Sequence, residues 1–335
     1  MTSEGNSASP AHVDALPLAN GIRGDLGPVV WDKAIAQLSG HALQTSLWGE
    51  GRSVCDGIES QYVAVVENYS VVWAARIETR KIPGIGRVGW IPRGPCATST
   101  SGAVIPDQVI NELRRSLDVI VTDPWFADPG ADPKVDLGRP RTIWLDLSVG
   151  ETALWSNFKK VFRYKIRRAE KAGIISRLAS QPSDIARYSE ILQGIEATKG
   201  FKGRTSQAFI THLLASSNAR QEVQAMLWLA ESKGQIGAGL FLIRVGTSLF
   251  RISGAADRAF GSEPLGLALD WTVLRWAVQE GYRRYDLEGM DPVNNAGVYQ
   301  YKRQFSGEEV TLIGKQFLAC TIKGRILVPA IRWLS

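Results

Sequence analysis

Between Leu265 and Glu280 the chain reads LGLALDWTVLRWAVQE, a helical stretch that is apolar nearly all the way round and stops at Gly281. A helix with apolar residues on every side must be covered on every side, so it packs against a sheet inside a layered domain. Directly after it, Tyr282 to Leu287 reads as a buried strand ending in Glu288 and Gly289. Met290 to Ala296 follows as a polar loop, and then a short helix carrying Tyr301, Lys302 and Phe305. A strand whose carboxyl end opens into a loop and a helix N-terminus is a common ligand corner, because free N–H groups and loop side chains converge there.

The elements upstream of this helix supply the sheet. QAMLWLAES, QIGAGLFLIRV and TSLFRISGAA, joined by Lys233-Gly234 and Val245-Gly246, form a hairpin meander. Helices precede it from Pro182 to Ala197 and up to about Leu214. Further back, Ser148 and Glu151 have capping-box spacing and start a helix that runs to Gly173. On its wheel Leu154, Trp155, Phe158, Val161, Phe162, Ile166 and Ala169 share one apolar stripe, from which Lys165 projects. The opposite face carries Lys159, Lys160, Arg163, Arg167, Arg168 and Lys171. GEEVTLIG and KQFLACTI add two strands near the end.

The first half has a looser version of the same order. Two short helices after Pro28, broken at Gly40, lead into a meander of QYVAVVE, SVVWAARIE and GRVGWIP. A helix from Pro106 to Leu117, strand VIVTDPWF stopping at Asp123-Pro124, a Pro- and Gly-rich loop and strand TIWLDLS complete it. The expected layout is α+β, with two similar units in tandem. The first covers residues 27–147 and is completed by 318–335, the second covers 148–317, and residues 1–26 are a disordered lead-in.

Composition excludes several classes. Three cysteines, odd in number and far apart, argue against a disulfide framework and fit a reducing, cytoplasmic setting. The three histidines, His12, His41 and His212, form no metal-ligand spacing and stand beside no nucleophile elbow. The first residues have no basic segment followed by an apolar one, and no stretch is apolar enough to span a membrane. The terminal run FLACTIKGRILVPAIRWLS is broken by Lys323, Arg325, Pro329 and Arg332, and reads as docked on its own domain or lying on a membrane surface. A net charge of +6 favours anionic partners.

The element order of the second half is that of the GNAT acyltransferase fold. Its pyrophosphate loop must follow a strand and open a helix, whereas Gly234-Gln-Ile-Gly237-Ala-Gly239 leads into a strand and reads as a hairpin turn. The better-placed loop, Arg258 to Gly266, is a weak match. TIWLDLS…LWSNFKKVFRYKIRRAEKAG, then GFKGRT, then the buried Trp-containing helix, then YDLEGM…GVYQYKRQF resembles the FemABX-type peptidyltransferases over about Leu43 to the C-terminus. The resemblance implies two GNAT-like domains with a cleft between them, in the form that has no helical arm. It implies transfer of an amino acid from aminoacyl-tRNA to an amine of a peptidoglycan precursor or peptide-like metabolite, with no metal or redox cofactor. An acyl-CoA-dependent N-acyltransferase of the same fold is the alternative.

Carried over residue by residue, the resemblance makes Lys302, after aromatic Tyr301 and before Phe305, the catalytic lysine. Aminolysis of an ester builds an oxyanion, which a fixed ammonium stabilises. Asp123 matches an Asp-Pro position near the acceptor amine, where it takes or relays a proton or merely caps a turn. Arg52, four residues after Trp48, and Arg204 in GFKGRT match a cationic pair for the acceptor's diphosphate, although isolated arginines usually form salt bridges. Phe250 and Ile252 stand where the family presents tyrosines, and Ala208 and Phe209 where another is expected, which departs from a muramyl-peptide acceptor. The Lys159 to Lys171 face is the candidate for the tRNA acceptor stem, its other reading being a solvated helix face.

Overall fold

A computed structural model describes residues 19–83, 86–131, 139–199, 205–261 and 263–334. Strand β1 (Gly21–Arg23) and helices α1 (Pro28–Gln37) and α2 (Ser46–Asp56) open the first unit. Strands β2 (Ser60–Glu67), β3 (Ser70–Ile82), β4 (Gly86–Ile91) and β5 (Cys96–Ala97), helix α3 (Asp107–Leu113) and strand β6 (Val119–Thr122) follow. The second unit runs through β7 (Arg141–Asp146), α4 (Gly150–Asn157), α5 (Lys160–Lys171), β8 (Ile175–Leu178), α6 (Pro182–Lys199) and α7 (Gln207–Ser217). It continues with β9 (Val223–Ser232), β10 (Gln235–Val245), β11 (Ser248–Ala256), α8 (Leu265–Gln279), β12 (Arg284–Asp286), α9 (Ala296–Lys302) and β13 (Glu308–Thr311). The chain then returns to the first unit with β14 (Gln316–Ala319) and α10 (Ile322–Leu334).

Each unit is built on one mixed sheet. The first has the order β1-β2-β3-β4-β6-β14 with β5 beside β3, and the second β13-β7-β12-β11-β10-β9-β8. The meanders β2-β3-β4 and β9-β10-β11 are antiparallel, and their tight turns place Asn68, Tyr69, Lys233, Gly234 and Gly246 at positive φ. Helix α8 packs against β9 and β10 on one side and α5 on another, burying Leu265, residues 267–271, Val273, Leu274 and Ala277 while Arg275 reaches solvent, which is the burial its apolarity requires.

Several expectations are corrected. The strand TIWLDLS does not close the first unit: β7 pairs antiparallel with β12 and β13, so the boundary expected at residue 147 moves upstream of Arg141. Part of the lead-in is ordered, since Gly21–Arg23 pairs with β2, while residues 1–18 lie outside the described residues. The helix expected from Ser148 to Gly173 is two helices broken at Phe158 and Lys159, and the capping box does not form. Ser148 instead bonds back to Asp146, and Arg163 Nη1 donates to the Ser156 carbonyl at 3.0 Å, capping the end of α4. The break resets the helical phase, so Phe162, Ile166 and Ala169 are buried while Val161 and Lys165 face solvent.

A core of aromatic and aliphatic side chains runs from one unit into the other. Trp31, Ile35, Leu47 and Trp48 of α1 and α2 pack with Tyr188, Phe209, Leu213, Phe241 and Phe250 of the second unit. Gly51 lets α2 approach α7, because a Cβ there would press on Phe209.

Candidate active site

Strands β11 and β12 pair in parallel only from Ser248 opposite Arg284 to Phe250 opposite Asp286. Beyond that point β11 continues to Ala256 while the chain after Asp286 parts from it and stays on β7, through the Leu287 N–H to the Ile143 carbonyl and a bridge between Met290 and Arg141. The parting of two parallel strands frees backbone groups and makes a cleft. Asp286 sets the turn: its Oδ1 accepts from the Glu288 N–H at 2.8 Å, the Asx arrangement that bends the chain within two residues. Glu288 adopts the left-handed conformation, φ +63°, uncommon for a residue with a Cβ.

Lys302, the last residue of α9, points back into this turn. It is 5% exposed, and its Nζ donates to the carbonyls of Glu288 at 3.0 Å and Gly289 at 2.8 Å. Burial, and then the Arg251 guanidinium, push its pKa down to about 7, against the pull of Glu288, Asp286 and Asp270. Tyr301 faces the other side of the helix, where its hydroxyl donates to Asp270, which also accepts from Arg251 Nε at 3.2 Å. Burial and Asp270 keep that phenol well above its ordinary pKa, so it stays a donor. Arg251, Asp270 and Tyr301 line a cavity of about 330 Å³ whose other walls include Gly239, Gly254 and Gly266.

The first unit closes the opposite side. His41, 1% exposed, accepts the Leu43 N–H on Nδ1 at 3.1 Å, which leaves the proton on Nε2 to bond Glu288 Oε1 at 2.5 Å. Burial opposes ionisation of Glu288, but His41, Arg93 and Lys302 outweigh it and hold the carboxyl down at about 2. Asp286 is fully buried and accepts from the indoles of Trp125 at 2.7 Å and Trp144 at 2.8 Å and from the Thr142 hydroxyl. Burial, then the Glu288 carboxylate, raise its pKa. Arg93 donates to Asp123 Oδ2 at 2.6 Å and lies over the Trp125 ring, 4.2 Å from its centroid. Arg93 and Trp125 of the first unit, with Arg141, Gly289, Met290, Asp291 and Asn295 of the second, line a cleft of about 280 Å³ beside the lysine.

The expected site residues fare unequally. Lys302 stands at this junction, with Asp123 on its first-unit side through Arg93, while Tyr301 faces the second unit's own cavity. Trp48, Phe250 and Phe305 are buried at 3%, 0% and 1% and belong to the core, where Trp48 meets Phe209, Phe250 supports His41, and Phe305 meets Phe162. Their side chains are mainly packed in the core, and Phe305 also lines a cleft with Trp144, Leu145 and Leu154. Arg52 is engaged by Asp56 and by Glu78 at 3.5 Å, the salt-bridged reading of that residue. Arg204 lies outside the described residues. On α5, Lys159, Lys160, Arg167, Arg168 and Lys171 are exposed, Arg163 is turned inward as a cap, and Arg167 lies over Trp155 at 5.5 Å.

His41, Arg93, Arg251, Asp270 and Asp286 surround the candidate site without being singled out for it in the sequence reading, and Glu288 is read there only as the end of the strand at the ligand corner. Two of them leave a trace: Arg251 is the lone charge of TSLFRISGAA, and Asp270 lies among apolar residues in the first half of the buried helix, and a buried charge needs a partner. His41 and Glu288, 247 positions apart, leave none. Among the described residues no group of three or more His, Cys, Asp or Glu converges as a metal site. No described helix is long and apolar enough to cross a membrane.

Residues 156–303 match the family profile described as an acetyltransferase (GNAT) domain. None of the curated proteins matches the sequence. Among solved structures, FemX superposes with a TM-score of 0.75 at 14% identity, over 94% of this chain and 99% of that one. A conserved protein of unknown function from Bacteroides thetaiotaomicron superposes with a TM-score of 0.57 at 12% identity, over 89% of this chain and 99% of that one. The chain thus has a FemX-like fold of two GNAT-like units in tandem, and residues 156–303 are similar to a GNAT acetyltransferase domain.

Proposed function

We propose that the protein is an aminoacyltransferase that moves an amino acid from aminoacyl-tRNA to an amine of a peptidoglycan precursor or peptide-like metabolite. The observation that carries this reading is the buried Lys302 ammonium, fixed on two carbonyls where β11 and β12 part and the first unit closes over them. The acceptor amine attacks the ester carbonyl, the C–N bond forms and the carbonyl oxygen takes up negative charge. A third N–H of Lys302, beyond the two held by Glu288 and Gly289, meets that oxyanion. Collapse breaks the ester C–O bond, and the ribose hydroxyl of the tRNA leaves with a proton. Asp123, held by Arg93, takes the proton lost by the amine and returns it to the leaving ribose oxygen. The exposed cations of α5 bind the tRNA backbone.

The acyl-CoA alternative has less to stand on. The loop before α8 ends in Glu263 and Pro264, a carboxylate and a residue without an N–H, which is a poor seat for a pyrophosphate. The test is transfer of label from total tRNA charged with radiolabelled amino acids to a soluble muramyl peptide. The expected result is RNase-sensitive transfer, and transfer that requires acyl-CoA and ignores RNase would overturn it. Lys302→Ala is expected to lower turnover by about 100-fold or more with acceptor binding retained, the scale of a lost oxyanion donor.

A further inference from the structure

We propose that His41 is a positioning residue for Lys302, acting across the junction by holding the Glu288 carboxylate and thereby the left-handed turn whose carbonyls carry the lysine. The inference rests on the reading of Lys302 given above. A lysine on a seven-residue helix is held only as firmly as its acceptors, and both acceptors belong to consecutive residues, Glu288 and Gly289. A left-handed non-glycine residue persists where its surroundings over-determine it, and such residues concentrate at functional sites. Two contacts of Glu288 itself hold it there, its N–H to Asp286 at 2.8 Å within the second unit and its carboxylate to His41 Nε2 at 2.5 Å from the first, while the flanking Leu287 and Met290 N–H groups bond the Ile143 and Arg141 carbonyls of β7 at 3.0 and 2.9 Å.

The histidine is itself fixed. Leu43 N–H sets its tautomer, and its ring lies between Trp125 and Phe250, with centroids at 4.9 and 4.5 Å. The contact therefore does more than tie the units together, a task that the shared core already performs. It makes the geometry of the second unit's lysine depend on docking of the first. The charged and titratable groups around Lys302 are Arg251 from β11, Asp270 from α8, Asp286 and Glu288 from β12 and its turn, and Tyr301 beside it, with Arg93 and His41 facing Glu288 from the first unit.

His41→Phe keeps an aromatic ring between Trp125 and Phe250 but removes the donor. It is expected to cut kcat by about 100-fold, the scale of an ångström of misplacement, with little change in donor KM. His41→Gln, whose amide N–H reaches the same carboxylate, is expected to restore most of it. At Glu288, glycine is at ease at positive φ and alanine is not. Glu288→Gly is therefore expected to retain more activity than Glu288→Ala, an order that a plain interdomain tie would not produce. A readout without substrate is acylation of Lys302 by an N-hydroxysuccinimide ester, followed by peptide mass spectrometry at matched fold stability. Labelling is read near pH 10.5, where a freed amine is no longer mostly protonated, and at Lys302 it is expected to rise about tenfold in His41→Phe as the lysine leaves its carbonyls and becomes accessible.

Wild-type kcat and wild-type labelling in a folded His41→Phe would overturn the proposal while leaving the proposed function standing. Full transfer by Lys302→Ala would instead remove the reading on which it rests. Should His41→Phe fail to fold, the comparison of Glu288→Gly with Glu288→Ala decides, and equal activity in the two counts against the turn.

Discussion

Lys302 shows what a single residue gives up to be useful. Removing an ammonium from water while placing Arg251 near it disfavours the charged form, and its pKa of about 7 against an ordinary 10.5 corresponds to a cost on the order of 5 kcal/mol at ~1.4 kcal/mol per tenfold change in proton affinity. The sign follows from linkage. The folded state binds the proton less tightly than the unfolded state, so the cost is complete below pH about 7, fades as pH rises and is gone above 10.5. Lys302→Met is therefore expected to be more stable than the parent at pH 6, by calorimetric unfolding. That advantage should shrink or reverse by pH 9, where the neutral parent amine still satisfies two carbonyls that methionine leaves bare, worth about 1 kcal/mol each. An advantage that grows with pH would contradict burial as the cause.

At the scale of elements, the split of the expected long helix into α4 and α5 decides what the basic stripe can do. With the break at Phe158 and Lys159, α5 turns Phe162, Ile166 and Ala169 inward and leaves Lys160, Arg167 and Lys171 on the outer face, while Arg163 is used internally as a cap. Phosphate contacts made by such a face are electrostatic and release counterions, so affinity for tRNA should fall steeply with salt. Lys160→Glu combined with Arg167→Glu is expected to weaken tRNA binding at low salt by at least about tenfold and to flatten the log–log salt slope, in filter binding across a salt series. Binding that survives the double reversal would place the stem elsewhere.

Across the whole molecule, the units are not beads on a string. Helices α1 and α2 of the first unit share a core with α6, α7 and the second sheet, and β14 and α10 return to the first sheet after the second is complete. Phe209, fully buried against Trp48 and beside Gly51, sits in the middle of that shared core. Its removal should therefore be felt by both units. Phe209→Ala is expected to cost about 3–5 kcal/mol. Unfolding monitored by tryptophan fluorescence and by far-ultraviolet dichroism should remain a single coincident transition, shifted as a whole. Two separated transitions would show that the units unfold independently.

The sequence by itself determined the two meanders, the buried helix and the ligand corner. All-round apolarity buried α8, period-two patterns bounded by turn residues gave both meanders, and the strand, loop and helix around Glu288 placed Lys302 at a cleft. Those signals are local, carried by residues a few positions apart whose periodicity reports burial directly. The tertiary structure decided which sheet a strand joins and which charges meet. β7 reads equally well as the last strand of one unit or the first of the next, because pairing is set by backbone hydrogen bonds to partners more than 100 positions away. Nothing in the neighbouring sequence tells Arg52 from Lys302 in kind, yet one is occupied by Asp56 and Glu78 while the other is buried at the junction. Charge has no periodicity, and its value depends on distance and solvent access that only the folded chain fixes. For the same reason His41 gave no sign of its role until folding brought it against Glu288.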